Sequence, residues 1–225
     1  MASGAELEAL VRRRVAGEPL EVLVGSVDFG GLRLRVAPGV FVPRQRTALL
    51  ARLAVAAVSP GSVVVELCCG VAPVAAVVSR SVSDVQVHAA DVDPAALACA
   101  RANLPTGTTH LGDAYDALPD HLRRRVGVLA ANAPYVPQAE LAGMPPEARL
   151  HEPVAALSGG TDGLAHQRWV VAGAPAWLRP GGLLLVETGR SQVDLTMGLM
   201  ADAGLATSLH TDPEVGGCVV AGRRT

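Results

Sequence analysis

Lysine is missing from this chain: all 19 basic residues are arginine, set against 21 acidic ones for a net charge of −2. Such a balance gives no global attraction to nucleic acid or to an anionic membrane. The two short basic runs, Arg12–Arg14 and Arg123–Arg125, read as the wet faces of helices. Aromatic residues make up only 3%, so Ala, Val and Leu must fill the core. Long apolar runs are also lacking. The most apolar stretch, Ala48 to Val58, is too short for a bilayer and is broken by Arg52. Glu6 and Glu8 precede any apolar run, the wrong order for a signal peptide. The four cysteines, Cys68, Cys69, Cys99 and Cys218, make no C-x-x-C pair and no metal-like cluster with the six histidines. The expectation is a cytoplasmic protein with reduced thiols, no metal site, and Cys68 and Cys69 as small packing residues.

What is present suits a packed α/β domain. Half of the 225 residues are apolar and 18% are charged, which excludes disorder. The length fits one domain with a full core and a small appendage. The apolar spacing predicts a short helix over Glu6–Ala16, then a β-hairpin within Gly25–Val42 turning at Gly30–Gly31, then a helix from Thr47 to Val58. Strands and helices alternate after that. Strands are predicted at Val63–Leu67, Val85–Ala90, Thr108–Leu111, Val126–Ala131 and Leu183–Glu187. Helices are predicted after the first strand to about Ser79, over Pro94–Asn103, over Leu164–Leu178, and once more before two last strands near Leu205–His210 and Cys218–Gly222. A long Pro/Gly-rich loop runs from Asn132 to about Gly160. Apolar strands separated by helices imply a parallel sheet wound with right-handed crossovers, whose ligands sit beyond the C-terminal strand ends.

Four strand ends carry special residues: Glu66, Asp91, Asp113 and Asn132. The turn Glu66-Leu67-Cys68-Cys69-Gly70 has one glycine where a dinucleotide fingerprint needs three, and no lysine for a P-loop. A diphosphate is therefore disfavoured. Asp91, 21 residues beyond Gly70 at the next strand end, is placed to accept both hydroxyls of a ribose; its alternative use is to cap the helix opened at Pro94. Asp113 is placed to accept from an exocyclic amino group. These features suit a nucleoside without phosphates. In Asn132-Ala133-Pro134-Tyr135, proline after a buried strand forces an extended turn. The Asn132 side-chain oxygen and the Ala133 carbonyl then offer two acceptors to the two N–H groups of a planar amide or amino group, with the Tyr135 ring against its flat face. The chemistry this suits is attack by a poorly nucleophilic planar nitrogen held in line with an electrophile.

With these residues in view, the chain resembles the PrmC/HemK family of class I S-adenosylmethionine (SAM)-dependent methyltransferases, which methylate the side-chain nitrogen of a protein glutamine. The landmarks run in order from about Arg12: Gly17-Glu18-Pro19-Leu20, Phe29-Gly30, Pro38 to Arg44, the Glu66–Gly70 turn, Asp91 with Pro94, Gly112-Asp113, Asn132–Tyr135, His151-Glu152-Pro153 with Ala156-Leu157, and Gly181-Gly182 leading into Glu187. The resemblance implies a Rossmann-like, seven-stranded mixed sheet with helices on both faces, preceded by a short helix and β-hairpin. It implies that residues 1–45 are a remnant of the substrate-docking region and residues 46–225 the methyltransferase domain. It gives Glu66, Cys68 and Gly70 to the methionine part of SAM, Asp91 to the ribose and Asp113 to the adenine. Asn132, Ala133, Pro134 and Tyr135 would hold the acceptor amide, and Arg44 would close over the cofactor. Glu152 and Pro153 would shape the glutamine pocket, with an ion pair from Glu152 to Arg149 as the other use of that acid. The implied partner is a class I peptide-chain release factor with its Gly-Gly-Gln loop.

The chain departs from the family at several points. Ala133 replaces the first of two usual prolines, Cys68 and Ala72 stand where glycines are common, and Gln45-Arg46-Thr47-Ala48 keeps only the threonine of the usual Pro-x-Thr-Glu. Against the family pattern, the expectation is that only about the last helix of the N-terminal helical domain is represented, in residues 5–16. Other readings that use the same pocket are a methyltransferase of another protein or a small molecule, an adenine N6-methyltransferase, and a SAM-binding protein without catalysis. The adenine reading is disfavoured by the net charge and the lack of lysine.

Overall fold

A computed structural model describes residues 4–225; residues 1–3, the start of the expected 1–45 region, lie outside it. Helix α1 (Gly4–Val15) and a short α2 (Leu20–Val24) lead into a hairpin of β1 (Ser26–Phe29) and β2 (Leu32–Arg35). Then come α3 (Ala48–Ala57), β3 (Val63–Leu67), α4 (Pro73–Ser81), β4 (Gln86–Asp91), α5 (Pro94–Asn103), β5 (Thr108–Leu111) and β6 (Val126–Ala131). The chain continues through α6 (Pro146–His151), α7 (Val154–Leu157), α8 (Ala165–Trp177), β7 (Leu178–Glu187), α9 (Val193–Asp202), β8 (Leu205–Asp212) and β9 (Gly217–Arg224).

Seven strands form one mixed sheet in the order β5-β4-β3-β6-β7-β9-β8, in which β9 pairs antiparallel with both of its neighbours and the other pairs are parallel. This is the expected class. Every residue of β3 and β6 is buried, as continuous apolar runs with both faces covered require. Alternation sends Val64 into one core with α3, α4 and α5, and Val63, Val65 and Leu67 into a second with α8 and α9. Successive connections run outward from β3 to β4 and β5, and the chain then returns to β6 on the other side of β3. That reversal opens a crevice at the C-terminal ends of β3 and β6.

The hairpin turns through Gly30 and Gly31, both at positive φ (+56° and +79°), the conformation a two-residue Gly-Gly turn requires. Its inward residues Val27, Phe29 and Leu34 join the same core as Val64. The Asn103 side chain, at the end of α5, bonds both to the backbone of Arg35 on β2 and to the Val71 carbonyl beside the first strand's turn.

Three local differences from the sequence expectations have physical reasons. The Pro/Gly-rich loop contains α6 and α7, each entered from a proline (Pro145, Pro153) and too short for apolar periodicity to reveal. Helix α2 is likewise only five residues long. Strand β7 starts at Leu178 rather than Leu183, because Leu178 pairs with Val126 before a register irregularity at Gly127.

Candidate active site

The crevice widens into a cavity of ≈ 660 Å³ lined by residues from all four singled-out strand ends. Its floor is the turn after β3, where Cys68, Gly70 and Ala72 all adopt positive φ (+51°, +53° and +61°). Two of these are not glycine, and an L-residue there costs about 1–2 kcal/mol. The turn is tied down by acids. Glu66 is buried, and its two oxygens accept from the Val74 and Ala75 N–H groups at 3.3 and 2.7 Å, the open end of α4. Burial pushes its carboxyl up to about 8, against the pull of those two bonds. Glu66 lines the cavity, yet its bonding capacity is largely spent on holding the helix. Asp91 accepts from Gly70 N at 2.7 Å and from Asp93 N at 2.9 Å, so it locks the turn from the neighbouring strand; burial raises its pKa too. It does not cap α5. That use falls to Asp93, whose side chain accepts from Ala95 N at 2.8 Å. Asp113 lines the wall beyond β5, behind Gly112, whose N–H is bonded to the Asp91 carbonyl at 3.0 Å.

Cys68 faces the cavity, and burial with the nearby charges of Asp91, Asp113 and Glu66 pushes its thiol up to about 12. A thiol held protonated in this way is a poor nucleophile. Cys69 is buried in the core, where burial holds its thiol well above the ordinary range, and all four cysteines are free.

On the opposite wall lies the Asn132–Tyr135 turn. Asn132 Nδ2 donates to Thr47 Oγ1 at 3.3 Å, which leaves the Asn132 oxygen as an acceptor. The Tyr135 hydroxyl donates to Glu187 Oε1 at 3.4 Å, and Arg46 lies over the Tyr135 ring with its guanidinium carbon 5.6 Å from the centroid. Burial and the Glu187 charge raise the Tyr135 pKa, so the hydroxyl stays protonated. Glu187, at the end of β7, also accepts from Arg46 Nε at 3.3 Å, while its buried Oε2 has no hydrogen-bond partner. Behind the turn, Gln192 Nε2 donates to the Tyr135 carbonyl at 3.0 Å.

The segment before α3 closes one side. Arg44 lies over Phe41, 4.9 Å from the ring centroid, and pairs with Glu152 at 2.6 Å. The second Glu152 oxygen accepts from Val42 N at 3.1 Å. The partner of Glu152 is thus Arg44 and not Arg149, and Glu152 acts on the cavity from behind, whereas Pro153 lines it. Sequence reasoning missed Met144 on the cavity wall and gave no role to Phe41, Arg46, Thr47 and Glu187, which it named only within the landmark and departing segments. Among the described residues there is no group of His, Cys, Asp and Glu able to hold a metal ion, and no helix long and apolar enough to cross a membrane.

Comparison with known proteins gives this geometry its context. The family model described as methyltransferase small domain matches residues 31–143. The release factor glutamine methyltransferase of Geobacter sulfurreducens is 33% identical over 97% of this chain and 78% of its own length. The chain belongs to the release factor glutamine methyltransferase family. It is accordingly a methyltransferase, and its family uses SAM as methyl donor. The chain is also similar to a Streptomyces pristinaespiralis protein named 4-amino-L-phenylalanine/4-methylamino-L-phenylalanine methyltransferase, 35% identical over 95% of this chain and 76% of that one. A solved methyltransferase from Pyrococcus furiosus shares the fold, with a TM-score of 0.63 at 15% identity over 99% of both chains.

Proposed function

We propose that the chain methylates the side-chain amide nitrogen of a glutamine, that of the Gly-Gly-Gln loop of a class I peptide-chain release factor. The observation that carries this reading is the bond from Asn132 to Thr47. It turns the Asn132 oxygen into an unspent acceptor beside the Ala133 carbonyl, a pair matched to the two N–H donors of a primary amide. Pro134 holds the turn extended, and Tyr135 offers its ring face to the amide plane. Gripping both N–H groups favours the orientation in which nitrogen faces the methyl donor, so positioning supplies much of the rate.

The cavity suits SAM by the chemistry of its walls. SAM supplies an electrophilic methyl group on a cationic sulfur. Acids gather where that cation and the ribose hydroxyls would lie: Asp91 for the ribose, Asp113 near the adenine, and Glu66, Cys68 and Gly70 along the methionine. The two arginines on the wall, Arg44 and Arg46, are each paired to a buried glutamate, so neither is left unpaired to oppose the sulfonium or to await a diphosphate. Arg44, held by Glu152, would close the cofactor side, and Pro153 would border the glutamine pocket. Residues 1–45 would meet the acceptor protein and residues 46–225 would carry the transfer.

The test is a methyl-transfer assay with labelled SAM and a purified class I release factor, read by mass spectrometry on the Gly-Gly-Gln peptide. The wild type is expected to methylate the glutamine, and Asn132→Ala to lose at least about 100-fold in turnover. An unmodified peptide would remove this acceptor. The Streptomyces pristinaespiralis relative motivates a second reading, a free aromatic amine as acceptor, since an aniline nitrogen is also planar and weakly nucleophilic. Running 4-amino-L-phenylalanine in the same assay separates the two.

A further inference from the structure

The clamp has a support that neither the motif nor the family comparison assigns. An asparagine amide can sit in either of two flips, and only one presents oxygen to a donor N–H. Thr47 is what distinguishes them here. It is buried at 1% exposure, and its Oγ1 accepts from Asn132 Nδ2 at 3.3 Å. Accepting there leaves the Thr47 proton to be placed elsewhere, and the carboxylate of Glu187, whose buried Oε2 has no hydrogen-bond partner, is the acceptor that could take it. Arg46 and Tyr135 both bond to Glu187 Oε1, so Oε2 is left as open acceptor capacity in a dry place. Without that acceptor, Thr47 would be free to turn its hydroxyl toward Asn132, and the amide would flip to present its NH₂ to the substrate's own N–H groups.

We infer that Thr47 and Glu187 are positioning residues that set the amide orientation of Asn132. Glu187 reads the direction of the Thr47 hydroxyl, Thr47 fixes the flip, and the same carboxylate anchors the Tyr135 hydroxyl. One buried acid thereby orients both ends of the catalytic turn from outside the cavity, which it does not line. The inference rests on Asn132 being the amide clamp proposed above.

The chain contains two asparagines, Asn103 and Asn132, so selective ¹⁵N-asparagine labelling yields two side-chain NH₂ signals. Asn103 Nδ2 donates to two carbonyls far from Thr47 and serves as the internal reference. In the wild type the Asn132 NH₂ is expected to exchange slowly with solvent. In Thr47→Val it is expected to exchange fast, with kcat for the Gly-Gly-Gln peptide lowered about 10- to 100-fold and KM for SAM unchanged. Thr47→Ser is expected to restore both to near wild type, and Glu187→Leu to behave like Thr47→Val. If Thr47→Val fails to fold, Thr47→Ala gives the same readouts. Protected Asn132 protons together with full turnover in the valine or alanine variant would overturn the inference. If the wild type leaves the peptide unmodified, the acceptor reading falls alone, and the exchange measurement still decides whether Thr47 orients Asn132.

Discussion

Replacing Glu66 with Gln separates two opposed effects at the floor of the site. Glu66 is 2% exposed, and burial raises its carboxyl from an ordinary 4.5 to about 8. The folded protein therefore holds this proton more tightly than the unfolded chain does. Its contribution is fully present below pH 4.5 and is lost as pH rises through 8. At 1.36 kcal/mol per pH unit, the loss across that window reaches about 5 kcal/mol at most. Glutamine does not titrate, so the variant escapes this loss. Its NH₂ accepts no hydrogen bond, however, whereas the Glu66 hydroxyl oxygen keeps acceptor capacity even in the neutral acid. The variant therefore strands either Val74 N or Ala75 N at a cost of about 1–3 kcal/mol, at the low end while Glu66 is protonated. Glu66→Gln should thus be the less stable protein at pH 5 and the more stable one at pH 8.5, with a crossover between. Asp91, raised in the same direction, is present in both proteins, so its own slope largely drops out of the difference. Urea unfolding of both proteins at constant ionic strength from pH 5 to 9 measures the difference directly. A stability difference that stays constant over that range would refute the reasoning.

Other outcomes follow from neighbouring features. His88 is pushed down to about 4 by burial and by its neighbours His110 and His121, so stability should fall as pH drops from about 6.5 toward 4; His88→Phe should flatten that limb in thermal melts at pH 4.5 to 7. Gly163→Ala would drive Cβ into the Tyr135 carbonyl and Gln192 Nε2 at φ +78°, and should cost more than about 2 kcal/mol by urea unfolding and lower turnover by disturbing the Asn132–Tyr135 turn. Arg44→Ala strands Glu152, whose side chain is 1% exposed, and should cost about 3 kcal/mol; Glu152→Gln in the same background should recover part of it.

The strands that build the crevice were legible because their local chemistry is unambiguous. Val63–Leu67, Thr108–Leu111 and Val126–Ala131 fall where the β-branched and apolar runs place them, and Pro94 opens α5 at the residue expected. The positions of the Asn132–Tyr135 turn and of the acids were legible for the same reason, since each sits at a strand's C-terminal end: Glu66 and Asp91 in the last residues of β3 and β4, Asp113 two residues past β5, and Asn132 directly after β6. Partnerships across the chain were not. Glu152 finds Arg44 across 108 residues and Glu187 finds Arg46 across 141, so a search among sequence neighbours pointed to Arg149 for the first and to nothing for the second. Sequence reasoning offered Asp91 as a cap for the helix opened at Pro94 and did not consider Asp93; the path of the backbone assigns the cap to Asp93 and frees Asp91 for the glycine turn.

The Asn103 side chain has a mechanical consequence. Its amide stitches three separate stretches together: strand β2 of the hairpin, the last turn of α5 and the loop around Val71 that follows the cavity floor. A load applied to the hairpin would reach, through that amide, the segment beside the turn that Asp91 and Gly70 hold, in addition to the hairpin's packing in the core. The hairpin at the front of the protein and the floor of the cavity are thereby tied through a shared side chain, Asn103.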